Sequence, residues 1–266
     1  MTDAPLAVVS DDGQFADASR ELAASLALPL LDEAALAQLQ PQFRLCFTNS
    51  GLALQQTPFL DAGLLIDFSN ADLLRRAQES YKKQGLGKAV GIKPGYRPTV
   101  LDATAGLGKD SFLLASQGCQ VTLLERSPVI HALLTDAFAR AAGLEQLAAV
   151  MARLQLLAGD FRYSQTKDSS YDVVYLDPMF PVTGKTARVK KSMQLLQGFL
   201  QQAEESLTEA QRQDEERQLL QTARSMARKR IVVKRAKLSH DLAGAAPDIS
   251  FRGKSNRFDV YLQAAK

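Results

Sequence analysis

The chain has 266 residues, 46% hydrophobic and 23% charged, with a formal net charge of +3, which is typical of a folded protein with one large and one small domain. Its longest apolar runs are only as long as strands, and its N-terminus is acidic, so we predict neither a membrane span nor a secretory signal. Two histidines, and two cysteines without C-x-x-C spacing, argue against a zinc site or a histidine-based triad, so we predict no metal.

Residues 1–61 are predicted to form a small α+β N-terminal domain. A strand, a helix and the two strands of a hairpin are expected there at Leu6–Val9, Ala16–Leu26, Phe43–Thr48 and Leu52–Gln56. Residues 62–98 are interpreted as a basic connecting segment, which ends in a stretch containing proline and glycine.

Strands and helices alternate in the third predicted segment, residues 99–266. The predicted strands are Val100–Leu101, Val121–Leu124, Leu154–Leu157, Val173–Leu176, Ile231–Val233 and Phe258–Leu262. The predicted helices are Lys109–Ser116, Val129–Ala142 and a helical stretch from about Ser192 to Ala227. Repeated βα units indicate an α/β fold with a mostly parallel sheet that is covered on both faces.

Charge is distributed unevenly along the chain. Residues 1–61 carry a net charge of −6, residues 62–98 of +4, residues 99–181 of −3 and residues 182–266 of +8. Basic surface on both sides of the segment 99–181 is what a phosphate backbone would require. Any single cluster is also explained as a solvated helix face.

The first strand of the alternating segment leads into a glycine-containing turn. In a doubly wound sheet, ligands bind at the carboxyl ends of the strands, and this strand ends at Asp102. Gly106 and Gly108 allow a ligand to approach the backbone where a helix begins. The dinucleotide fingerprint fails because Ser111 occupies its third glycine position. Asp102 and Asp110 would repel a pyrophosphate, so a zwitterionic or cationic ligand is favoured.

Acidic residues also end the next two strands. Glu125 follows Asp102 by 23 residues and is suited to bind both hydroxyls of a ribose, while Arg126 can pack on an adenine. Asp160 can accept the adenine amino group, and the Phe161 ring can cover the base. Each residue alone is explained as a helix cap or a surface side chain, but their succession predicts an S-adenosylmethionine-dependent methyltransferase.

The fourth strand ends in Asp177-Pro178-Met179-Phe180-Pro181, which resembles the Asp/Asn-Pro-Pro-aromatic motif of methyltransferases that act on exocyclic amino groups. An arylamine nitrogen is a poor nucleophile because its lone pair is delocalised into the ring. The Asp177 carboxylate and the Pro178 carbonyl can accept its N–H bonds and aim the lone pair. Phe180 can stack on an unpaired or flipped base, although it could also be a core aromatic. Asp177, Pro178 and Phe180 are the predicted catalytic residues.

Longer stretches are similar to the ribosomal RNA small subunit methyltransferase J family. The similarity lies in the runs VLDATAGLGKDSFLLASQGC, VTLLERSPV, VVYLDPMFP, IVVKR and NRFDVY, within about residues 62–262. The resemblance implies a Rossmann-like class I methyltransferase fold with a mostly parallel seven-stranded sheet. It also implies S-adenosylmethionine as the methyl donor, the N2 amino group of one guanine in 16S rRNA as the target, and a cytoplasmic protein that works on 16S rRNA or the small ribosomal subunit.

The resemblance extends to individual site residues. It implies cofactor contacts at Lys109, Asp110, Glu125, Arg126, Asp160, Phe161 and Asp177. Candidate RNA contacts are Arg75, Arg76, Lys185, Lys190, Lys191, Lys234, Arg235 and Arg257. The stretch after Arg76 departs from the family, since the residues there replace the usual glycine cluster. Two alternatives stay open: methylation of another nucleic-acid amine, such as adenine N6 or a different guanine, and a non-catalytic RNA-binding module with the same fold.

Overall fold

The computed structural model describes residues 5–10, 13–58, 63–163, 171–178, 191–204 and 208–264. The chain divides into two compact units. The first unit comprises Met1–Asp67, Thr135–Arg140 and Met179–Ser206, and the second comprises Phe68–Leu134, Ala141–Pro178 and Leu207–Lys266. The domain boundaries at residues 61 and 98 stay predictions.

Strands and helices alternate through much of the described chain. The strands are β1 (Leu6–Val9), β2 (Leu30–Leu31), β3 (Phe43–Thr48), β4 (Gly51–Gln56), β5 (Leu64–Leu65), β6 (Thr99–Asp102), β7 (Gln120–Glu125), β8 (Leu154–Ala158), β9 (Tyr171–Leu176), β10 (Ala227–Ala236), β11 (Ile249–Arg252) and β12 (Asn256–Leu262). The α-helices are α1 (Ala16–Leu26), α2 (Glu33–Leu39), α3 (Ala71–Ala77), α4 (Gly85–Val90), α5 (Lys109–Ser116), α6 (Pro128–Ala142), α7 (Glu145–Met151), α8 (Lys191–Glu204) and α9 (Glu209–Met226).

The first unit contains a five-stranded sheet in the order β2-β1-β3-β4-β5. The predicted hairpin is confirmed as β3 and β4, which pair antiparallel, and the predicted helix is confirmed as α1. Sequence analysis missed β2 and α2. The α2 helix begins where the side chain of Asp32 accepts a hydrogen bond from the Ala35 N–H at 2.8 Å, which satisfies a free donor of the first turn.

The second unit contains a seven-stranded sheet in the order β11-β12-β10-β9-β6-β7-β8. The five strands β10, β9, β6, β7 and β8 run parallel, and β12 is antiparallel to both of its neighbours. The predicted mostly parallel, seven-stranded sheet is therefore confirmed. Its central strands are apolar runs, since both faces of a parallel sheet are covered; the residues of β9 from Asp172 to Leu176 are all buried.

Residues 68–98 form two short helices, α3 and α4, that sequence analysis did not predict. Asn70 begins α3 by accepting hydrogen bonds from the backbone N–H groups of the next turn. Phe68 stacks on Phe112 of α5 with ring centroids 5.2 Å apart. This aromatic pair brings the start of the segment against the helix that follows the glycine-containing turn.

Within the described residues, no helix combines the length and apolar character needed to cross a bilayer. The same residues hold no group of three or more histidine, cysteine, aspartate or glutamate side chains placed to bind a metal ion. Cys46 and Cys119 are both buried, and they do not form a disulfide with each other.

Candidate active site at the carboxyl edge of the seven-stranded sheet

The register of the parallel strands brings the predicted polar residues together. Asp102 of β6 pairs with Tyr175 of β9, and Leu176 of β9 pairs with Val233 of β10. The next residues along these two strands are Asp177 and Lys234, and residues at the same level of neighbouring strands point to the same face. The carboxyl edge of the sheet therefore brings together Asp102, Asp177 and Lys234, which lie on or directly after three adjacent strands.

The turn between β6 and α5 contains two glycines with positive φ. Gly106 has φ of 52° and Gly108 has φ of 67°. Among the described residues, a Cβ atom at Gly106 would have no non-neighbouring atom nearer than the Thr104 carbonyl oxygen at 3.9 Å, so this side of the turn is open to the part of the chain that the structure describes. A Cβ atom at Gly108 would lie 3.1 Å from Leu134 and 3.2 Å from Phe68. Gly106 thus leaves room for a ligand, whereas Gly108 permits close packing of the turn on the core.

Asp102 is a buried acid whose charge depends on its surroundings. It is 2% exposed, and its carboxylate accepts hydrogen bonds from the Ser111 hydroxyl at 2.5 Å and the Thr104 N–H at 3.2 Å. Burial raises the pKa of Asp102 to about 7, although these two hydrogen bonds oppose the rise. Asp102 therefore ionises near neutral pH, where a cation beside it would favour the carboxylate.

Glu125 connects the glycine-containing turn to the start of α6. Its carboxylate oxygens accept hydrogen bonds from the Gly106 N–H and the Ser127 N–H, both at 2.8 Å, and the Arg126 N–H is a third donor. Burial raises the pKa of Glu125, although these N–H groups oppose it. A carboxylate has about four acceptor sites, so with three N–H donors bound Glu125 retains acceptor capacity for a ligand hydroxyl. Arg126, the next residue, is exposed.

Asp160 follows β8 and is held by a cation that sequence analysis missed. Arg162 donates to both oxygens of Asp160, at 3.0 Å from Nε and 2.5 Å from Nη2, and it also pairs with Glu215 of α9. Burial would raise the pKa of Asp160, but Arg162 outweighs it and holds the pKa below its ordinary value. The Phe161 ring is 2% exposed and lies in the interior. A ligand that binds Asp160 would therefore compete with Arg162, and a ligand that binds Phe161 would need access to a buried ring.

A connected polar cluster joins α5, β9 and β10. The ammonium group of Lys234 donates to Asp177 Oδ2 at 2.7 Å and to Asp110 Oδ2 at 2.8 Å. The Tyr175 hydroxyl also donates to Asp110 Oδ2, at 2.7 Å, and the Asp177 N–H donates to Thr104 Oγ1 at 2.6 Å. The cluster fixes both the backbone and the side chain of Asp177 at the end of β9, and Pro178 follows it, partly exposed.

The acids of this cluster differ in proton affinity. Burial alone would raise the pKa of Asp110, but the charge of Lys234 and hydrogen bonds from Lys234 and Tyr175 outweigh it, so the pKa is lowered. Burial and the nearby charge of Asp110 raise the pKa of Asp177 despite Lys234. The Asp177 side chain is 36% exposed and that of Asp110 is 15% exposed. Asp177 is therefore the carboxylate of the pair that a ligand can reach more easily.

The remaining predicted site residues fall into three groups. Arg75 and Arg76, at the end of α3, are exposed; Arg75 pairs with Glu79 at 3.2 Å, and Arg76 helps to lower the pKa of Asp110. Lys109 is exposed in the first turn of α5. The third group lies outside the described residues: Met179, Phe180, Pro181, Lys185, Lys190 and the side chain of Lys191.

Arg235 and Arg257 are occupied within the fold. The Arg257 side chain, 6% exposed, pairs with Asp259 and Asp241, both at 2.8 Å, and also donates to three backbone carbonyls. The Arg235 side chain, 9% exposed, pairs with Glu216 at 3.3 Å and donates to the carbonyl of His240. Their burial argues against the phosphate contacts expected from the sequence, and we assign both arginines to the fold. Lys234, between its two carboxylates, is likewise turned to the site.

Some site residues were not recognisable from sequence. Tyr175 lies in an apolar strand, where its ring predicts only burial, and Arg162 belongs to no motif. Thr104 lies in the run that contains the two glycines, but nothing in that run marks it as a partner of Asp177. Ser111 was noted only because it breaks the dinucleotide fingerprint, yet that same position places its hydroxyl against Asp102.

Comparison with known proteins identifies similar chains over nearly the full length. A family model of SAM-dependent methyltransferases matches residues 30–263. The "Ribosomal RNA small subunit methyltransferase J" of Nitrosococcus oceani is 40% identical over 96% of this chain and 97% of the relative. The protein of the same name from Thioalkalivibrio sulfidiphilus is 40% identical over 98% and 99% of the two chains. The crystal structure of a SAM-dependent methyltransferase from Neisseria gonorrhoeae is 31% identical, with a TM-score of 0.69, and covers 97% of this chain and 95% of that chain.

Proposed function

Because the chain belongs to the ribosomal RNA small subunit methyltransferase J family of S-adenosylmethionine-dependent methyltransferases, we propose that it methylates the N2 amino group of a specific guanine in 16S rRNA. The class I methyltransferase fold and the methyl donor follow from the family. The names of the relatives support small-subunit RNA as the substrate. The guanine amino group is inferred from the Asp177-Pro178 motif together with the sequence resemblance.

The observation that carries the proposal is the hydrogen bonding of the Asp177 carboxylate. Lys234 holds its Oδ2 atom, while no partner reaches its Oδ1 atom among the residues that the structure describes. A half-exposed, oriented carboxylate with one available oxygen is what an exocyclic amine needs, because an N–H bond donated to it localises the nitrogen lone pair. This oxygen lies at the strand-end edge where class I methyltransferases bind their cofactor.

The residues of this edge fit S-adenosylmethionine. The open side of Gly106 admits a ligand to the backbone, and Glu125 retains lone pairs for the ribose hydroxyls. Asp102 ionises near neutral pH, which suits the ammonium group of the methionine part. When bound, S-adenosylmethionine supplies an electrophilic methyl group on a sulfonium sulfur. The contacts of Lys109, Asp110, Arg126, Asp160, Phe161 and Asp177 with it are part of the proposal.

The protein's part in the reaction is to position the amine and receive its proton. We assign Asp177 Oδ1 and the Pro178 carbonyl as acceptors of the two N–H bonds. The nitrogen lone pair then forms the new C–N bond while the electrons of the S–C bond stay on sulfur. The alkylated nitrogen becomes cationic and must lose one proton, and Asp177 Oδ1 is placed to take it. We further propose that Phe180 stacks on the flipped base.

Basic side chains complete the proposal. We assign phosphate contacts to Arg75 and Arg76, which are exposed, and to Lys185, Lys190 and Lys191. We propose that the protein acts in the cytoplasm, where small-subunit RNA or the small ribosomal subunit is available as its partner.

A deletion strain tests the substrate in the cell. We expect mass spectrometry of its 16S rRNA to show the loss of one N2-methylguanine, and expect the chain, but not the Asp177→Asn variant, to restore it. An unchanged methylation pattern would refute the proposed substrate. Loss of methyl from an adenine or from another RNA would support the alternative amine, and full restoration by Asp177→Asn would support the non-catalytic module.

The two glycines of the turn should respond differently to alanine. Gly108→Ala is expected to lower the free energy of unfolding by about 2–4 kcal/mol, because it adds positive-φ strain and a close contact with Leu134 and Phe68. Gly106→Ala adds only the strain, about 1–2 kcal/mol, but its methyl group fills the open side and should weaken S-adenosylmethionine binding. Urea titration and calorimetry measure the two effects; equal stabilities and affinities would contradict the assignment.

Cofactor affinity should depend on pH through Asp102. Its pKa is about 7, and a bound ammonium group favours the carboxylate, so affinity should rise as pH rises through 7. We expect a rise of about fivefold between about pH 6 and about pH 8, which corresponds to one pKa unit of coupling. Calorimetry on the Asp102→Asn variant is the control, because it retains the titration of the ligand. The idea fails if the variant keeps the wild-type pH dependence.

A further inference from the structure

Lys234 is a cation placed between two carboxylates at the proposed site of methyl transfer. Its ammonium group lies 2.7 Å from Asp177 and 2.8 Å from Asp110, and its side chain is 26% exposed. Its third N–H finds no acceptor among the described residues. The placement results from strand register, since Val233 pairs with Leu176 and the two following residues are therefore neighbours.

The two carboxylates do not depend on Lys234 equally. Asp110 also accepts a hydrogen bond from the Tyr175 hydroxyl and receives the charge of Arg76, so it retains partners if the ammonium is removed. In the part of the chain that the structure describes, the side chain of Asp177 has Lys234 as its single hydrogen-bond partner. Removing the ammonium would therefore change the charge and orientation of Asp177 far more than those of Asp110.

We infer that Lys234 is a positioning residue for the methyl-transfer reaction: it holds Asp177 ionised through Oδ2, so that Oδ1 faces the amino group of the base. The inference rests on the proposed function and deepens it. An ionised carboxylate accepts an N–H bond and then a proton, whereas a protonated one would present a donor to the amine. Lys234 thus acts through Asp177 and not through an RNA phosphate.

The charged surroundings of Asp177 make this role necessary. The titratable and charged groups that face the cluster come from each element around it: Asp102 on β6, Asp110 on α5, Tyr175 on β9, Lys234 on β10 and Arg76 on α3. Burial and the charge of Asp110 both favour protonation of Asp177, and Lys234 opposes them. Without Lys234, burial and the charge of Asp110 would act unopposed, and Asp177 would be neutralised more easily.

The test is the pH dependence of kcat on small-subunit RNA at saturating S-adenosylmethionine, which removes the contribution of cofactor binding. For Lys234→Met we expect kcat to fall about 10-fold near neutral pH, because the acidic limb of the profile moves to higher pH. Activity requires the ionised carboxylate. When the pKa of Asp177 is raised, the enzyme therefore loses activity at a higher pH than the wild type does. Most of the loss should then be recovered toward about pH 8.5.

Three further variants separate positioning from a general structural defect. Lys234→Arg keeps the charge and should keep the position of the acidic limb. Adding Asp110→Asn to Lys234→Met removes the neighbouring negative charge and should move the limb back toward lower pH. Lys237→Met, the same substitution at an exposed lysine just past β10, should leave kcat and the profile unchanged.

The outcomes distinguish this inference from the proposed function. If the wild-type chain methylates no small-subunit RNA, the proposed function fails. If the wild type is active and Lys234→Met loses activity equally at every pH, Lys234 is merely structural and the inference is overturned. If Lys234→Met instead raises KM for RNA with an unchanged kcat profile, the lysine contacts phosphate and the inference is also overturned.

Discussion

Asp177→Asn is expected to lower kcat about 100- to 1,000-fold, the loss typical of removing a group that acts directly in the transition state. The physical reason lies in Lys234. Its ammonium lies 2.7 Å from Asp177 Oδ2 and requires an acceptor there, so the amide oxygen of asparagine would turn toward it. The amide NH2 would then face the substrate amine, so that two hydrogen-bond donors would oppose each other. Single-turnover methylation at saturating S-adenosylmethionine measures this effect.

Cofactor affinity of the same variant separates two roles of Asp177. If Asp177 acts on the amine, the affinity for S-adenosylmethionine should change only a few-fold while kcat collapses. If it mainly holds the cofactor, as the family resemblance alone would also allow, the dissociation constant should rise in parallel with the loss of activity. A variant that stays within a few-fold of wild type in both quantities would contradict our account of the site.

Glu125→Gln is expected to weaken S-adenosylmethionine binding about 10- to 100-fold. The carboxylate accepts N–H bonds from Gly106 and Ser127, both at 2.8 Å, and the NH2 of glutamine would oppose one of these donors. The variant would thus lose a charged acceptor for the ribose and also disturb the turn beneath the cofactor, together worth about 1–3 kcal/mol. Calorimetry measures the affinity directly.

A ligand comparison shows whether Glu125 binds the ribose. Wild type should prefer adenosine over 2′-deoxyadenosine as a competitor of S-adenosylmethionine, and Glu125→Gln should lose that preference. The exposed Glu79→Gln is a matched control that should keep it. An undiminished preference in Glu125→Gln would place the ribose elsewhere.

The sequence predicts the fold well where an element has a clear apolar pattern. The apolar run Val173–Leu176 identifies β9, and the helix predicted at Lys109–Ser116 is observed with the same bounds as α5. The edge strand β11 was missed because its residues are only partly buried and form no apolar run. The helix α7 was missed because it has seven residues and no recognised cap.

The sequence predicts where several site residues lie, but not which side chains pair with one another. Three acids can be recognised from the sequence because each one ends, or directly follows, a buried strand: Asp102, Glu125 and Asp177. The sequence marks Lys234 only as a candidate RNA contact, because its two acidic partners lie 57 and 124 residues away and only the strand register brings them together. The acidic partners of the basic tail residue Arg257 are near in sequence, since Asp259 lies two residues along β12 and Asp241 lies 16 residues before Arg257, but no motif marks either pair.

The most direct test of the central claim is methyl incorporation in vitro. The purified chain is incubated with S-adenosylmethionine carrying a labelled methyl group and with unmethylated 16S rRNA, both free and assembled into small subunits, and the labelled nucleoside is then mapped by mass spectrometry. Our account predicts one methyl group on the N2 atom of a single guanine, and none with Asp177→Asn. Label on a different base atom, spread over many guanines, or unaffected by Asp177→Asn would contradict it.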